Sequence, residues 1–431
     1  MSFEESDTQK KLNEISYSNL PPNWKLMKVE DVSEQMKDAP FGAKLKSKDY
    51  VDYGIPVVQG RNIKNNKFEW NNKLYTSAKK RDELKNHLCY EGELVFPKVG
   101  TIGGCAILPK IEGQNEYVLS TNMMKLKANS KISDISYIYY YFSNPKIQKV
   151  IKQRSTTSVQ PVFNFTSLKK FPIVVPSLTE QKLIVAVLSS IDKKIELNNA
   201  INKNLEEMAQ ALFKRWFIDF EFPNENGEPY KSSGGEFEES ELGLIPKGWK
   251  IENFNSVFDL KYGKALKEGD RREGDVPVYG SNGRIGFHNN SLVKGPGIVV
   301  GRKGNAGTVN FVEKDFFPID TTFYVQLKPH CISSMYYAYY ELINQNLTKY
   351  SSDSAVPGLS KKMVEQNKVI IPIEEKIEEF DRSISSIFQY KSNLEDQSDK
   401  LSKIRDTLLP KLMSGEIRVP VDDQELTSSI E

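Results

Sequence analysis

The clearest pattern along the chain is a pair of hydrophobic stripes spaced four and three. The first runs Ile184, Leu188, Ile191, Ile195, Asn198, Asn202, Leu205, Ala209, Leu212 and Trp216, and the second Phe380, Ile384, Ile387, Lys391, Leu394, Ser398, Leu401, Arg405, Leu408 and Leu412. That spacing is the seam of a coiled coil, so each stretch predicts one long helix. The first opens on a capping box, Ser177-Leu178-Thr179-Glu180, directly after Pro176, where the hydroxyl and the acid satisfy free amides. About 40 residues at 1.5 Å each make a rod of roughly 60 Å. Such a rod must bury its stripe, and the natural partner is its own copy. Asn198, Asn202, Lys391, Ser398 and Arg405 interrupt the seam. They either set the register, with Asn198 meeting the middle of an antiparallel partner, or form its solvated edge.

Ahead of each helix the pattern shortens. Pro56 to Val58, Leu94 to Phe96, Ile173 to Val175, Ile298 to Val300 and Val369 to Ile371 are brief β-branched runs broken by Gly, Asn and Pro, as in a small irregular sheet. Ile135 to Phe142 and Met335 to Leu342 carry tyrosines at helical spacing, which predicts core rather than a stacking platform for bases. Asn224 to Pro229 and Ser232 to Gly235 have the composition of a linker.

The two halves are copies. Leu20 to Lys25 matches Ile245 to Lys250 at an offset of 225, and Trp24 falls on Trp249. Leu94 to Gly103 parallels Ile298 to Gly307, and from Pro161 against Pro357 the offset is a constant 196. Trp24 to Pro176 spans 152 positions and Trp249 to Pro372 spans 123, so the first front carries 29 extra residues. The fold class that follows is α+β: two similar mixed α/β domains and two long antiparallel helices forming a coiled coil, related by an internal pseudo-two-fold repeat.

Composition excludes several classes. At 431 residues with 39% hydrophobic and 27% charged positions, the chain is long enough for about three domains and too apolar for disorder. Its most lipid-like stretch, Leu183 to Ile191, lies between Lys182 and Asp192, far short of the ~18 residues a span needs. The start, MSFEESDTQKK, is acidic where a signal peptide is basic, so the expected location is cytoplasmic. Cys89, Cys105 and Cys331 make neither a disulfide frame nor a CxxC, and His87, His288 and His330 are scattered. No metal site is expected; His87 with Cys89 is a lone i, i+2 pair. A net charge of +2 leaves any affinity for phosphate to local clustering.

No catalytic set can be assembled. Gly301-Arg302-Lys303-Gly304-Asn305-Ala306-Gly307 follows a strand but fits neither GxGxxG nor GxxxxGK[ST], and Pro21-Pro22-Asn23-Trp24 has the wrong order for a methyltransferase loop. Glu374-Glu375-Lys376 opens the second helix, where acids favour the dipole without any catalytic role. The chain is expected not to be an enzyme.

What the fronts offer is paired polar turns. Gln59-Gly60-Arg61-Asn62 and Gly280-Ser281-Asn282-Gly283-Arg284 combine close-approach glycines with side chains suited to base edges. Lys98-Val99-Gly100-Thr101 and Arg302-Lys303-Gly304-Asn305 repeat the chemistry. Thr156, Thr157 and Ser352 lie in hydroxyl-rich loops suited to phosphate contact. The candidate DNA-binding residues are therefore Gln59, Arg61, Asn62, Lys98, Thr101, Thr156, Thr157, Ser281, Asn282, Arg284, Arg302, Lys303, Asn305 and Ser352.

Ala211-Leu212-Phe213-Lys214-Arg215-Trp216-Phe217-Ile218-Asp219-Phe220 at the end of the first helix, Leu244-Ile245-Pro246-Lys247-Gly248-Trp249 opening the second half, and Leu408-Leu409-Pro410-Lys411-Leu412-Met413-Ser414-Gly415-Glu416-Ile417 closing the second helix together resemble the specificity subunit of type I restriction-modification systems. The resemblance covers residues 20 to 419. It implies two target recognition domains, 20–176 and 244–372, separated by spacer helices at 177–222 and 373–419; the linker falls at 223–243, residues 1–19 are an N-terminal extension with no counterpart in the repeat, and the acidic, serine-bearing end at 420–431 reads as a disordered tail. It also implies a bipartite double-stranded DNA target, two modification subunits that bring S-adenosylmethionine and methylate adenine, and restriction subunits that bring ATP and Mg2+. No cofactor is expected on this chain. Because the paired turns differ in sequence, the target should be asymmetric. Phe213, Trp216 and Phe217, large apolar groups near a rod end, are candidate contacts to the modification subunit, with packing inside the chain the alternative. The competing class is a non-enzymatic coiled-coil scaffold for protein or carbohydrate, which would lack the steep salt dependence of phosphate binding.

Overall fold

The computed structural model describes residues 20–40, 45–154, 162–328, 331–351 and 358–420. Two compact units emerge, Met1–Ile195 with Asp399–Glu431, and Glu196–Ser398. The expected extension at 1–19 and the tail from 421 lie outside the described residues.

In the first unit, strand Lys25–Lys28 pairs antiparallel with Pro172–Val175, placing Lys25 opposite Val175. A four-stranded antiparallel sheet follows the order Ala106–Ile107, Leu94–Pro97, Met123–Ala128, Ser33–Asp38. A five-stranded sheet runs Tyr50–Val51, Tyr75–Thr76, Ile55–Val58, Glu116–Leu119, Leu88–Tyr90, with Ile55–Val58 and Glu116–Leu119 parallel. Helix Ile135–Ser143, capped by the Asp134 carboxylate, buries Tyr137, Ile138, Tyr141 and Phe142. The Tyr137 hydroxyl donates to the Val174 carbonyl at 2.8 Å.

The second unit repeats this plan. Lys250–Asn253 pairs with Lys368–Ile371, Lys250 opposite Ile371, so the offsets of 225 and 196 meet in one pair of strands. Its four-stranded sheet runs Phe258–Tyr262, Thr322–Leu327, Gly297–Gly301, Val309–Val312. In helix Met335–Asn344 the Tyr337 hydroxyl donates to the Ile370 carbonyl at 2.7 Å. The tyrosine-rich segments are core, as their spacing predicts, with the hydroxyls of Tyr137, Tyr141 and Tyr337 spent on backbone carbonyls and those of Tyr140, Tyr336 and Tyr339 on carboxylates. The difference is the other sheet, which has three strands, Gly283–His288, Val276–Gly280 and Phe317–Pro318. The longer first front builds the extra strands Tyr50–Val51 and Tyr75–Thr76 and the short helix Ala78–Glu83.

The two long helices span Leu178–Phe213 and Glu374–Ser414, and every predicted seam position is buried or half-buried. Within the first unit the Arg405 guanidinium donates to Asp192 at 2.9 Å and Arg418 to Glu180 at 2.5 Å. Within the second, Asn198 meets Ser398 at 3.2 Å and the Phe213 and Phe380 rings lie 6.0 Å apart. In each unit later residues of one helix face earlier residues of the other, so the pairing is antiparallel. Lys391 also pairs with Glu206. Asn198, Ser398, Lys391 and Arg405 thus find partners across the helix pair instead of standing as a solvated edge, whereas the Asn202 Oδ1 is buried without one.

Two expectations change. Residues 223–243 are not a loose linker: Phe237–Ser240 and Gly243–Pro246 form a hairpin, and the Phe222 ring stacks on Tyr230 at 4.5 Å and on Trp249 at 5.2 Å. Aromatic stacking orders a segment whose Gly, Ser and Asn content alone favours flexibility. Phe213, Trp216 and Phe217 are not a free apolar face. Their exposures are 3%, 7% and 2%, because the first helix widens into a π-turn over Lys214–Ile218. That turn brings Trp216 and Phe217 together onto Phe380, at 5.9 and 5.0 Å between ring centroids. Their burial within the second unit replaces the partner-contact reading with core packing. Among the described residues, no helix is long and apolar enough to cross a membrane.

Candidate nucleic-acid interface

Within each unit, the two polar turns singled out by the sequence are neighbours in space. In the first unit Gly60–Asn62 form a tight 3-10 turn leaving strand Ile55–Val58. A Cβ on Gly60 would meet the Pro97 Cβ at 3.4 Å, an ordinary van der Waals contact, so this turn lies against the start of the Lys98–Gly104 loop. Next to it the hairpin Ile63–Lys64 to Lys67–Phe68 turns at Asn65 and Asn66, both left-handed at φ +48° and +59°. The Asn66 Oδ1 then accepts from the Cys105 amide at 3.3 Å and from Gln148 Nε2 at 2.9 Å, tying the hairpin to the end of that loop and to the helix Pro145–Arg154.

In the second unit the turn Ser281–Asn282 sits between the paired Gly280 and Gly283. Asn305 Nδ2 donates to Asn282 Oδ1 at 2.5 Å and the Thr308 hydroxyl to the Ser281 carbonyl at 2.7 Å, which locks the turn onto the Arg302–Gly307 loop. The two loops share a backbone conformation. Gly100 and Gly103 have φ of +78° and +86°, Gly304 and Gly307 +79° and +83°, values that favour glycine. In each, a 2.9 Å bond runs back two residues, Ile102 N to Gly100 O and Ala306 N to Gly304 O. The scaffold is duplicated while the side chains on it are not.

The candidates differ in availability. Arg61 and Thr101 are exposed in the first unit, and Asn282, Arg284, Lys303 and Asn305 in the second, with Ser281 half-buried. The Arg284 guanidinium lies 5.0 Å from the Phe287 ring. Lys98 is half-buried and ion-paired with Asp38. Arg302 donates through Nε and Nη2 to the Asp320 carbonyl at 3.1 and 2.7 Å and lies over the Tyr262 ring at 5.2 Å, which fixes its fork. Gln59 Nε2 donates to the Tyr50 hydroxyl at 3.4 Å. Asn62 is a correction: it is fully buried, its Oδ1 accepting from the Gln59 amide at 2.9 Å and its Nδ2 donating to the Glu69 carbonyl at 3.1 Å. It holds the turn and has no amide edge left for a base. Thr156, Thr157 and Ser352 lie outside the described residues.

Other side chains were not singled out by the sequence. Asn66 is one, and its signal was available, since Lys64-Asn65-Asn66-Lys67 between two short runs is a hairpin turn. Tyr262, 59% exposed beneath Arg302, carried none. The His87 ring contacts the Asp38 carbonyl at 3.0 Å while the Cys89 thiol donates to Tyr117 O at 3.6 Å, so the two do not converge. Among the described residues no group of three or more His, Cys, Asp or Glu is placed to hold a metal ion.

A family model described as the type I restriction modification DNA specificity domain matches residues 21–207 and again 246–403. The type I restriction enzyme MjaIX specificity subunit of Methanocaldococcus jannaschii is 27% identical over 94% of this chain and 96% of that protein. The HindI specificity subunit of Haemophilus influenzae is 23% identical over 76% of this chain and 87% of its own length. In fold, the chain is similar to the crystal structure of the type I restriction-modification S subunit from M. genitalium, with a TM-score of 0.53 at 16% identity over 92% of this chain and 96% of that one.

Proposed function

The chain belongs to the family of type I restriction-modification DNA specificity subunits, and on that premise we propose that it reads a split, asymmetric duplex sequence for a type I complex in the cytoplasm. Each unit reads one part of the target through its paired turns. Arg61 and Thr101 act in the first, and Asn282, Arg284, Lys303 and Asn305 in the second, with Arg302 and Lys98 as braced cations beside them. Arginine suits guanine and asparagine suits adenine in the major groove. The chain performs no chemistry. It positions two modification subunits, which hold S-adenosylmethionine and methylate adenine, and restriction subunits, which use ATP and Mg2+.

One observation carries the reading: the Gly100–Gly103 and Gly304–Gly307 loops share their glycine-defined backbone, while the side chains on and beside them differ. Duplicated scaffolding with divergent edges is what two different half-targets require. The test is selection from a random duplex pool by the full chain purified with its modification subunits. One consensus of two unlike parts separated by a fixed gap is expected; a pool that stays random, or a palindrome, would overturn it.

A further inference from the structure

Four lysines of the first unit line one cavity of about 440 Å³: Lys46, Lys48, Lys79 and Lys80, together with Asp49 and Glu83. They are far apart in sequence. The extra strands of this unit unite them, since Tyr50 pairs with Thr76 and the Thr76 hydroxyl donates to the Asp49 carbonyl at 2.9 Å. Lys46 precedes and Lys48 lies within the 3-10 turn Ser47–Asp49, and Lys79 and Lys80 lie on the helix Ala78–Glu83.

The charges do not cancel. Lys80 takes both acids, at 3.7 Å from Asp49 and 3.0 Å from Glu83. Lys46, Lys48 and Lys79 are exposed and have no carboxylate within ion-pair distance among the described residues. Four lysines against two acids leave an excess of positive charge around the cavity, even with Lys48 also acting on Asp49, and that excess favours an anion there. The cavity also adjoins the reading turn, because Tyr50, the residue after Asp49, accepts the hydrogen bond from Gln59. The three-stranded sheet of the second unit lacks the strands that build it.

We infer that this cavity binds backbone phosphodiester of the duplex read by the Gln59–Asn62 turn, giving the first unit a longer footprint and a larger salt-dependent contribution than the second. The inference rests on the DNA-reading role above. Phosphate contacts position a protein on DNA without carrying sequence information, so these lysines act on affinity and not on choice of bases.

The test uses the full chain with its modification subunits and compares the wild type with Lys46→Ala/Lys48→Ala/Lys79→Ala. All three side chains are exposed, so the fold should survive, and an unchanged melting temperature checks it. Each phosphate neutralised contributes about 0.9 to the slope of log K against log salt. The variant should lose about 1 to 2 from that slope and weaken cognate and unrelated duplexes by the same factor. Acetylation footprinting gives a second readout: duplex, but not inorganic phosphate at equal ionic strength, should protect Lys46, Lys48 and Lys79. A steep wild-type slope left unchanged in the variant, or lysines protected equally by inorganic phosphate, overturns the inference and leaves the DNA-reading role standing. A wild type without salt-dependent binding overturns that role as well.

Discussion

The Asn198 amide donates to Ser398 Oγ at 3.2 Å, and Ser398 is the residue that the repeat aligns with Asn202, one turn further along Asn198's own helix. The contact therefore sits close to the point where the two long helices exchange roles, and there it fixes which residues of the antiparallel pair face each other. Polar seam residues give register at some cost in stability. Here the cost is visible, since the Asn198 Oδ1 is buried without a partner. Asn198→Leu should stabilise the chain by about 1 kcal/mol and raise the melting midpoint by about 2–4 °C. A lower midpoint in thermal unfolding would show that the amide's bonds outweigh its orphaned oxygen.

Trp216 belongs to the core of the second unit, against Phe217 and Phe380. Trp216→Ala should cost about 3–5 kcal/mol, read as a lower denaturation midpoint of the isolated chain. Loss of co-purifying subunits with no change in that midpoint would restore the reading of Trp216 as a docking residue.

Arg61 and Asn62 are sequence neighbours with opposite expected phenotypes. Arg61 is exposed on the turn and Asn62 is fully buried beneath it. Arg61→Ala should weaken the cognate duplex by about 1–3 kcal/mol and relax preference at one position in one part of the target. Asn62→Ala strips acceptor and donor from buried backbone groups and should lower stability by about 1–3 kcal/mol. Binding selections paired with unfolding curves separate the two effects, and the reverse assignment would contradict the geometry.

Burial pushes the Glu341 carboxyl up to about 7 from an ordinary 4.5, with Gln345 Nε2 donating to it at 2.7 Å. The folded state therefore holds the proton more tightly than the unfolded chain. The stabilising contribution is fully present below about pH 4.5 and is lost as pH rises through 7. Burial also raises Asp381 to about 6, with the same sign at lower pH. Glu341→Gln keeps the bond to Gln345 and removes the titration, so at pH 8 it should be more stable than wild type by roughly 1–3 kcal/mol. Parallel stability curves from pH 5 to 8 would refute this.

Periodicity and self-similarity revealed the frame. The seam from Ile184 to Trp216 and the offsets at Trp24 and Pro176 anticipated both long helices and the matched strand pairs, because long helices and repeats are governed by local pattern. The turns at Gln59 and Ser281 were found for the same reason, being duplicated. Features made by tertiary geometry were not legible. The π-turn that swings Trp216 and Phe217 inward has no period of its own. Whether Asn62 points at solvent or at the Glu69 carbonyl depends on a hairpin several residues away. The stacking of Phe222 between Tyr230 and Trp249 orders a segment that composition marks as loose. The lysine cavity joins Lys46 to Lys80 only through a strand pair too short to read from sequence.

The most direct measurement is a map of methylated adenines in the genome of the cell of origin, with and without this gene. The account requires that one motif, built of two unlike parts around a fixed gap, loses its methylation when the gene is removed and regains it on complementation. A methylation pattern that does not change, or loss confined to a palindromic motif, would contradict it.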